Sequence, residues 1–243
     1  MTHLAIETTG LTRSFGSLVA VDGISLRVAK GQLYGFLGLN GAGKTTTIRM
    51  LTTLLPPTKG SAKLWGYDVA LEPLAVRQLI GLVSDETSES QSDWTAREYL
   101  TYFARIRGIA NPSEVGERCL TSVGLAEAFR GKLIGTYSTG MKRRVEIARA
   151  LLGNPKVLFL DEPTRGLDLP AKRETWKLLQ DLAARESVTT FLSSHDAQEI
   201  RTLCTQISVI ATGKVVFTGN TKELGSDLDA FEDSLIDLLT SRA

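Results

Sequence analysis

The sequence is poor in the residues that build metal or disulfide sites. It holds two cysteines, Cys119 and Cys204, with no CxxC spacing, and two histidines, His3 and His195. A zinc site of Cys and His needs about four ligands at short spacings, so that class is excluded. A disulfide framework is equally unsupported, which fits a reducing compartment. Charge of one sign is also missing: 28 Lys and Arg stand against 27 Asp and Glu, a net charge of +1. Such a balance argues against a nucleic-acid partner, which is held by a concentrated basic face. Long apolar runs are absent. Val157–Leu160 and Ile207–Ile210 fall far short of the ~20 residues that span a bilayer, and the N-terminus lacks the basic-then-apolar pattern of a secretory signal. What remains is ordinary globular usage over 243 residues, 42% hydrophobic and 23% charged. There is enough chain for a sizeable core, and the length points to one domain with an elaboration.

No internal repeat or low-complexity tract is present. Residues 4–9 read as a short strand. Ile24–Val28 and Gln32–Leu37 are two extended apolar runs joined at Ala29-Lys30-Gly31, a hairpin signal. A Gly-rich stretch follows, then a helical pattern over Thr46–Leu55 that Pro56-Pro57 is expected to stop. From about residue 71 to 136 helical patterns dominate, among them Thr95–Arg107, with Tyr99, Phe103 and Ile106 on one stripe, and Pro112–Val123. Strands return at Lys156–Asp161, whose unbroken apolar run suits burial on both faces, and at Val188–Ser193, with a helix over Ala171–Ala184 between them. Ile207–Ala211 and Lys214–Thr218 read as a hairpin around Thr212-Gly213, and Phe231–Leu239 as one amphipathic helix. Strands alternating with helices indicate an α/β fold.

Two stretches carry chemistry. Gly38-Leu39-Asn40-Gly41-Ala42-Gly43-Lys44-Thr45-Thr46 matches the P-loop pattern, in which glycines let backbone N–H groups converge on phosphate oxygens at a helix N-terminus. Lys44 is then the residue for the β- and γ-phosphates and Thr45 for Mg²⁺. Asp161 and Glu162 end an apolar strand, where α/β sheets place their ligand crevice. Asp161 is the candidate Mg²⁺ ligand and Glu162 the candidate base for an attacking water. The plain alternatives are a Gly-rich turn and a strand that ends in two solvated acids.

Three further motifs follow in order: Tyr137-Ser138-Thr139-Gly140-Met141 before a helical run, Gly166-Leu167-Asp168 after the acidic pair, and Ser193-Ser194-His195-Asp196 after an apolar strand. With these in register the chain resembles the ATP-binding subunit of an ABC transporter from residue 4 to about 224. The resemblance implies a P-loop NTPase core with a mostly parallel sheet, an N-terminal antiparallel β subdomain and an inserted helical lobe. Residues 1–85 and 137–220 would form the nucleotide-binding core, 86–136 the lobe, and 221–243 a short helical tail. It implies that Tyr137–Met141 is the signature motif, with Ser138 and Gly140 facing the ATP of a partner, that Gly166–Asp168 lies in the D-loop, that His195 is the switch histidine, and that Phe15 stacks on adenine. Taken singly, Phe15 also reads as a core aromatic, Ser138 as a helix N-cap, Asp168 as a helix-start acid and His195 as a satisfied strand-end histidine.

The chain departs from the family pattern at Asp85, which occupies the position of a Gln that orders Mg²⁺ and water. Asp85 is therefore either a third metal residue or a cap for the following loop. Thr139 and Met141 also replace the usual Gly and Gln of the signature. By resemblance, the function is ATP hydrolysis coupled to transport. Its cofactors are ATP and Mg²⁺. Its partners are separately encoded integral membrane subunits and a second ATPase subunit, in a homodimer or heterodimer on the cytoplasmic face of the membrane. Leu54–Gly60 together with the Tyr-Ser-Thr-Gly-Met signature looks like the exporter branch described as ABC-2 type. The alternative is a soluble ABC-type ATPase of DNA repair or translation, whose relatives carry coiled coils or a second cassette. A GTPase is disfavoured because no Asn-Lys-x-Asp motif is present.

Overall fold

The computed structural model describes residues 4–84, 92–186 and 188–240. The chain opens with β1 (Leu4–Phe15), β2 (Leu18–Ile24) and β3 (Arg27–Ala29). The two-residue turn Gly16-Ser17 pairs Phe15 with Leu18 in an antiparallel hairpin, and Gly16 supplies the positive φ of 59° that such turns favour. β4 (Leu33–Leu37) leaves this layer, and β5 (Lys59–Leu64) and β6 (Tyr67–Asp68) return to it, giving an antiparallel sheet of order β2-β1-β5-β6 with β3 on β1.

The hairpin expected at Ala29-Lys30-Gly31 does not form. β3 pairs with β1, and β4 lies in the second sheet. The reason is burial. Tyr34, Gly35, Phe36 and Leu37 are all buried, whereas only Val28 of β3 is fully covered. A run apolar on both faces belongs in the middle of a covered sheet, and turn residues mark a change of direction without choosing the partner.

α1 (Lys44–Leu51) starts two residues earlier and stops four residues sooner than the pattern implied. The prolines do not end it. Thr52 caps it, with its hydroxyl bonded back to the Ile48 carbonyl at 2.8 Å, and Thr53 turns to φ 63°. A threonine side chain that competes for helix carbonyls is a natural stop.

After α2 (Pro73–Leu79) and β7 (Ile80–Val83) come the lobe helices α3 (Ala96–Ile106), α4 (Pro112–Ser122) and α5 (Glu127–Arg130). Thr95 and Glu98 form a capping box that fixes where α3 begins. Tyr99 is buried and Phe103 packs against the same core, but Ile106 is exposed. The expected stripe therefore ends at Phe103. Ile106 lies in the last turn before Arg107 leads the chain out of the helix.

The chain continues through α6 (Thr139–Leu151), β8 (Val157–Asp161), α7 (Leu169–Glu186), β9 (Thr189–Ser194) and α8 (Ala197–Leu203). It finishes with β10 (Gln206–Ala211), β11 (Lys214–Asn220) and α9 (Leu228–Thr240), which buries Phe231 and Leu235. The second sheet has order β11-β10-β4-β9-β8-β7 and is parallel except for β11. Every residue of β8 and β9 is buried. This is the P-loop NTPase architecture expected from the sequence. Among the described residues no helix is long and apolar enough to cross a membrane.

Candidate active site

The site is assembled at the C-terminal ends of three neighbouring parallel strands. Leu37 of β4 pairs with Ser194 of β9, and Ser193 of β9 pairs with Asp161 of β8. Whatever follows each strand is thereby brought to one edge.

After β4 the glycine loop turns over the edge. The Gly38 amide donates to the Ser194 carbonyl at 3.2 Å, and the Ala42 amide to the Leu39 carbonyl at 3.1 Å. Gly38 has no room for a side chain: a Cβ there would lie 2.4 Å from the Ile210 carbonyl oxygen. Gly43, at φ 107°, is the N-cap of α1 and offers no side-chain cap. The first amides of α1 are left to an external acceptor, the arrangement that favours phosphate. Lys44 is buried, and its Nζ donates to the carbonyls of Gly38 (2.7 Å) and Leu39 (3.2 Å).

After β8, Glu162 adopts φ 51°. Left-handed backbone is uncommon for a residue with a Cβ and tends to collect at functional sites. The strain is held by hydrogen bonds from the Glu162 amide to the Ser193 carbonyl (3.1 Å) and Oγ (3.3 Å). Its carboxylate is buried between two cationic or ionisable groups. Oε2 lies 2.7 Å from His195 Nδ1, and Oε1 lies 3.1 Å from Lys44 Nζ. That second contact is a close ion pair without hydrogen-bond alignment, so Oε1 is a buried acceptor with its hydrogen-bonding capacity unused. Asp161 is buried too, and its Oδ1 accepts from Ser193 Oγ at 2.5 Å.

Asn40, Gly41, Gly43, Lys44, Thr45, Thr46, Glu162 and Arg165 line one cleft of about 390 Å³. Beside it, Thr45, Ser84 and Asp161 contribute to a smaller one of about 180 Å³. A wider cleft of about 470 Å³, between Ile109, Val115, Cys119 and Leu151, contains none of the candidate residues.

Of the other candidates, Phe15, Ser138, Gly140 and Asp168 do not line the cleft of Lys44 and Glu162. Phe15 ends β1 with 46% of its surface exposed, so it is no core aromatic, and the Arg13 guanidinium lies 4.6 Å from its ring centroid. Ser138 is indeed an N-cap: its Oγ accepts from the Met141 amide at the start of α6 (3.2 Å). Gly140 packs toward Ala171 of α7. Neither lines the cleft that holds Lys44 and Glu162. Asp168 caps α7, accepting from the Ala171 amide at 2.9 Å, so its helix-start reading holds. Asp85 lies outside the described residues.

Sequence reasoning missed several residues that shape the site. In the sequence Ser193 and Ser194 read only as neighbours of His195, yet Ser193 bonds Asp161 and Ser194 bonds Glu199 Oε2 at 2.6 Å. Asp196 caps α8, bonding the Glu199 amide (3.0 Å), and pairs with Lys172 (2.9 Å). Burial alone would raise the Asp196 carboxyl, but the hydrogen bonds from Lys172 and from the Glu199 and Gln198 amides outweigh it and hold it low. The Asp196-x-x-Glu199 spacing of a helix start was the available signal.

The family model described as "ABC transporter" matches residues 21–165, more than half of the chain. The chain belongs to the ABC transporter family. It is an ATP-hydrolysing cassette of that family. It is 41% identical over 226 residues to the daunorubicin/doxorubicin resistance ATP-binding protein DrrA of Streptomyces peucetius, covering 92% of this chain and 68% of that one. It is 42% identical over 211 residues to the bacitracin transport ATP-binding protein BcrA of Bacillus licheniformis, covering 87% and 68%. Among solved structures, cbiO1 of Clostridium perfringens superposes with a TM-score of 0.86 at 25% identity over 99% of this chain and 97% of that one.

Gly38→Ala tests the close approach that shapes the loop. A backbone oxygen faces the new methyl group, so a destabilisation of about 1–3 kcal/mol is expected, together with loss of nucleotide binding. Urea unfolding and ATP titration measure the two. Unchanged values in both would refute the packing described.

Proposed function

We propose that this cassette hydrolyses ATP at a composite site and uses the cycle to drive an exporter. The observation that carries the reading is the placement of Glu162, whose buried Oε1 pairs with Lys44 at 3.1 Å, takes no hydrogen bond and belongs to a residue that lines the cleft. Residues 38–46 would cradle the phosphates through their amides, Lys44 would shift from its loop carbonyls and Glu162 onto the β- and γ-phosphates, and Phe15 would stack on adenine. Glu162 Oε1 would take the proton of the attacking water, while His195 Nδ1 holds Oε2.

Among the described residues no cluster of three or more His, Cys, Asp or Glu could hold a metal unaided. A hydroxyl and a carboxylate, Thr45 and Asp161, do share one cleft, and such a pair of oxygen donors suits Mg²⁺, which binds through one or two protein groups plus phosphate oxygens. Thr45 and Asp161 are the residues for it. Bound there, Mg²⁺ would neutralise developing phosphate charge.

The exposed start of α6, with Ser138 and Gly140 away from the cleft of their own chain, supports completion of each site by a second copy or a close relative. Two ATP molecules would then lie in a two-fold interface. ATP does conformational work there only by binding the closed pair more tightly than the open one. The drug-resistance and bacitracin-transport names of the relatives favour export, with separate integral membrane subunits above the cassettes and the cassette at the cytoplasmic membrane face.

Glu162→Gln should keep ATP binding and lose about 10²-fold or more in turnover, as removal of a general base does, while Lys44→Ala should abolish nucleotide binding or hydrolysis. Turnover within a few-fold of wild type for Glu162→Gln, or unchanged ATP affinity and turnover for Lys44→Ala, would refute these roles. Purified from its native membrane, the cassette should bring an integral membrane subunit with it. Recovery alone, at full yield, from the soluble fraction would favour the soluble-ATPase alternative.

A further inference from the structure

Glu199, in the first turn of α8, is fully buried. A carboxylate out of water is costly unless its oxygens are satisfied. Here three neutral donors from three segments satisfy it. Oε1 accepts from Thr164 Oγ1 at 2.7 Å and from Trp176 Nε1 of α7 at 3.0 Å, and Oε2 accepts from Ser194 Oγ at 2.6 Å. Thr164 and Ser194 are themselves buried.

The partners are placed with a pattern. Thr164 lies two residues after Glu162, on the turn that holds Glu162 at its left-handed φ, where the Arg165 amide also bonds back to the Glu162 carbonyl at 3.1 Å. Ser194 directly precedes His195, and its Oγ accepts from the Asp196 amide at 3.0 Å. One carboxylate therefore accepts from side-chain hydroxyls on the two segments that carry Glu162 and His195, one on each side of their 2.7 Å contact. We propose that Glu199 is a positioning residue for ATP hydrolysis: by bonding Thr164 and Ser194 at once, its carboxylate sets the distance between Glu162 and His195. This rests on the reading of Glu162 as the base.

The choice of an acid carries a cost. Burial raises the Glu199 carboxyl above its usual range, with the bonds from Ser194, Thr164 and Trp176 pulling the other way. An acid raised in the folded state makes folding less favourable as pH climbs through the interval between its unfolded and folded values. At neutral pH a neutral residue of the same shape should therefore leave the fold intact. Gln has that shape, but its amide nitrogen can only donate, so one of the two oxygen acceptors is lost.

The test compares Glu162→Gln, Glu199→Gln and the double variant in the intact chain, with ATPase kinetics and melting temperature for each. Glu199→Gln is expected to melt within a few degrees of wild type, to keep KM for ATP within about 2-fold, and to lose ~10-fold in kcat. If Glu199 acts through Glu162, the double variant should turn over no more slowly than Glu162→Gln alone, since effects of residues acting as one unit do not multiply. Thr164→Val, which cuts the link while keeping the side-chain shape, should lower kcat by several-fold without raising KM, and it decides the matter should Glu199→Gln fail to fold. Wild-type kcat in Glu199→Gln or Thr164→Val, or losses that multiply in the double variant, would overturn the proposal and leave the base assignment standing. A Glu162→Gln variant with full turnover would overturn both.

Discussion

The hydrogen-bond register between three parallel strands governs the site. β4 ends in the phosphate loop, β9 in Ser194-His195, and β8 in Asp161-Glu162, and their pairing brings all three ends to one edge. A shift of one residue in any strand would turn every side chain to the other face. That register is secured by burial: β8 and β9 are covered along their whole length, and Phe36 of β4 and Phe159 of β8 each pack tilted against Phe191 of β9, with ring centroids 5.3 and 5.6 Å apart. The core below the edge and the chemistry above it are one structural decision.

Strain is stored where the chemistry is placed. Glu162 takes a left-handed backbone that a glycine would adopt more easily. The surrounding bonds overdetermine it: two from its amide to the Ser193 carbonyl and Oγ, one from the Arg165 amide to its carbonyl, and an ion pair and a histidine contact on its carboxylate. The carboxylate faces the glycine loop as a result.

Much of this was legible in the sequence because the informative signals are local. The P-loop spacing, the apolar run ending in Asp161-Glu162, and the strand before Ser193-Ser194-His195 each specify an element and its end, and the α/β alternation supplies the sheet. Pairing is not local, and there the reading failed: Ala29-Lys30-Gly31 marks a turn, but β4 takes its neighbours from residues more than 150 positions away. The α1 boundary failed for a related reason, since a threonine hydroxyl bonded to Ile48 ends the helix before the more conspicuous prolines do. The Asp196-x-x-Glu199 spacing marks a helix start, but the side-chain bonds of Glu199 are not legible in it, because Thr164, Trp176 and Ser194 meet only in three dimensions.

The signature turn is the part of the site that a single chain leaves apart from the rest. Ser138 caps α6 and stands away from the cleft of Lys44 and Glu162, and on the proposed reading a complete site would draw its two halves from two chains. Mixing measures this directly. A Lys44→Ala chain and a Ser138→Arg chain should each be inactive alone. Combined, they form a pair in which one site has both an intact cradle and an intact signature, and ATPase activity should appear on mixing. A mixture as inactive as its components, with the mixed pair shown to form, would contradict the shared-site account.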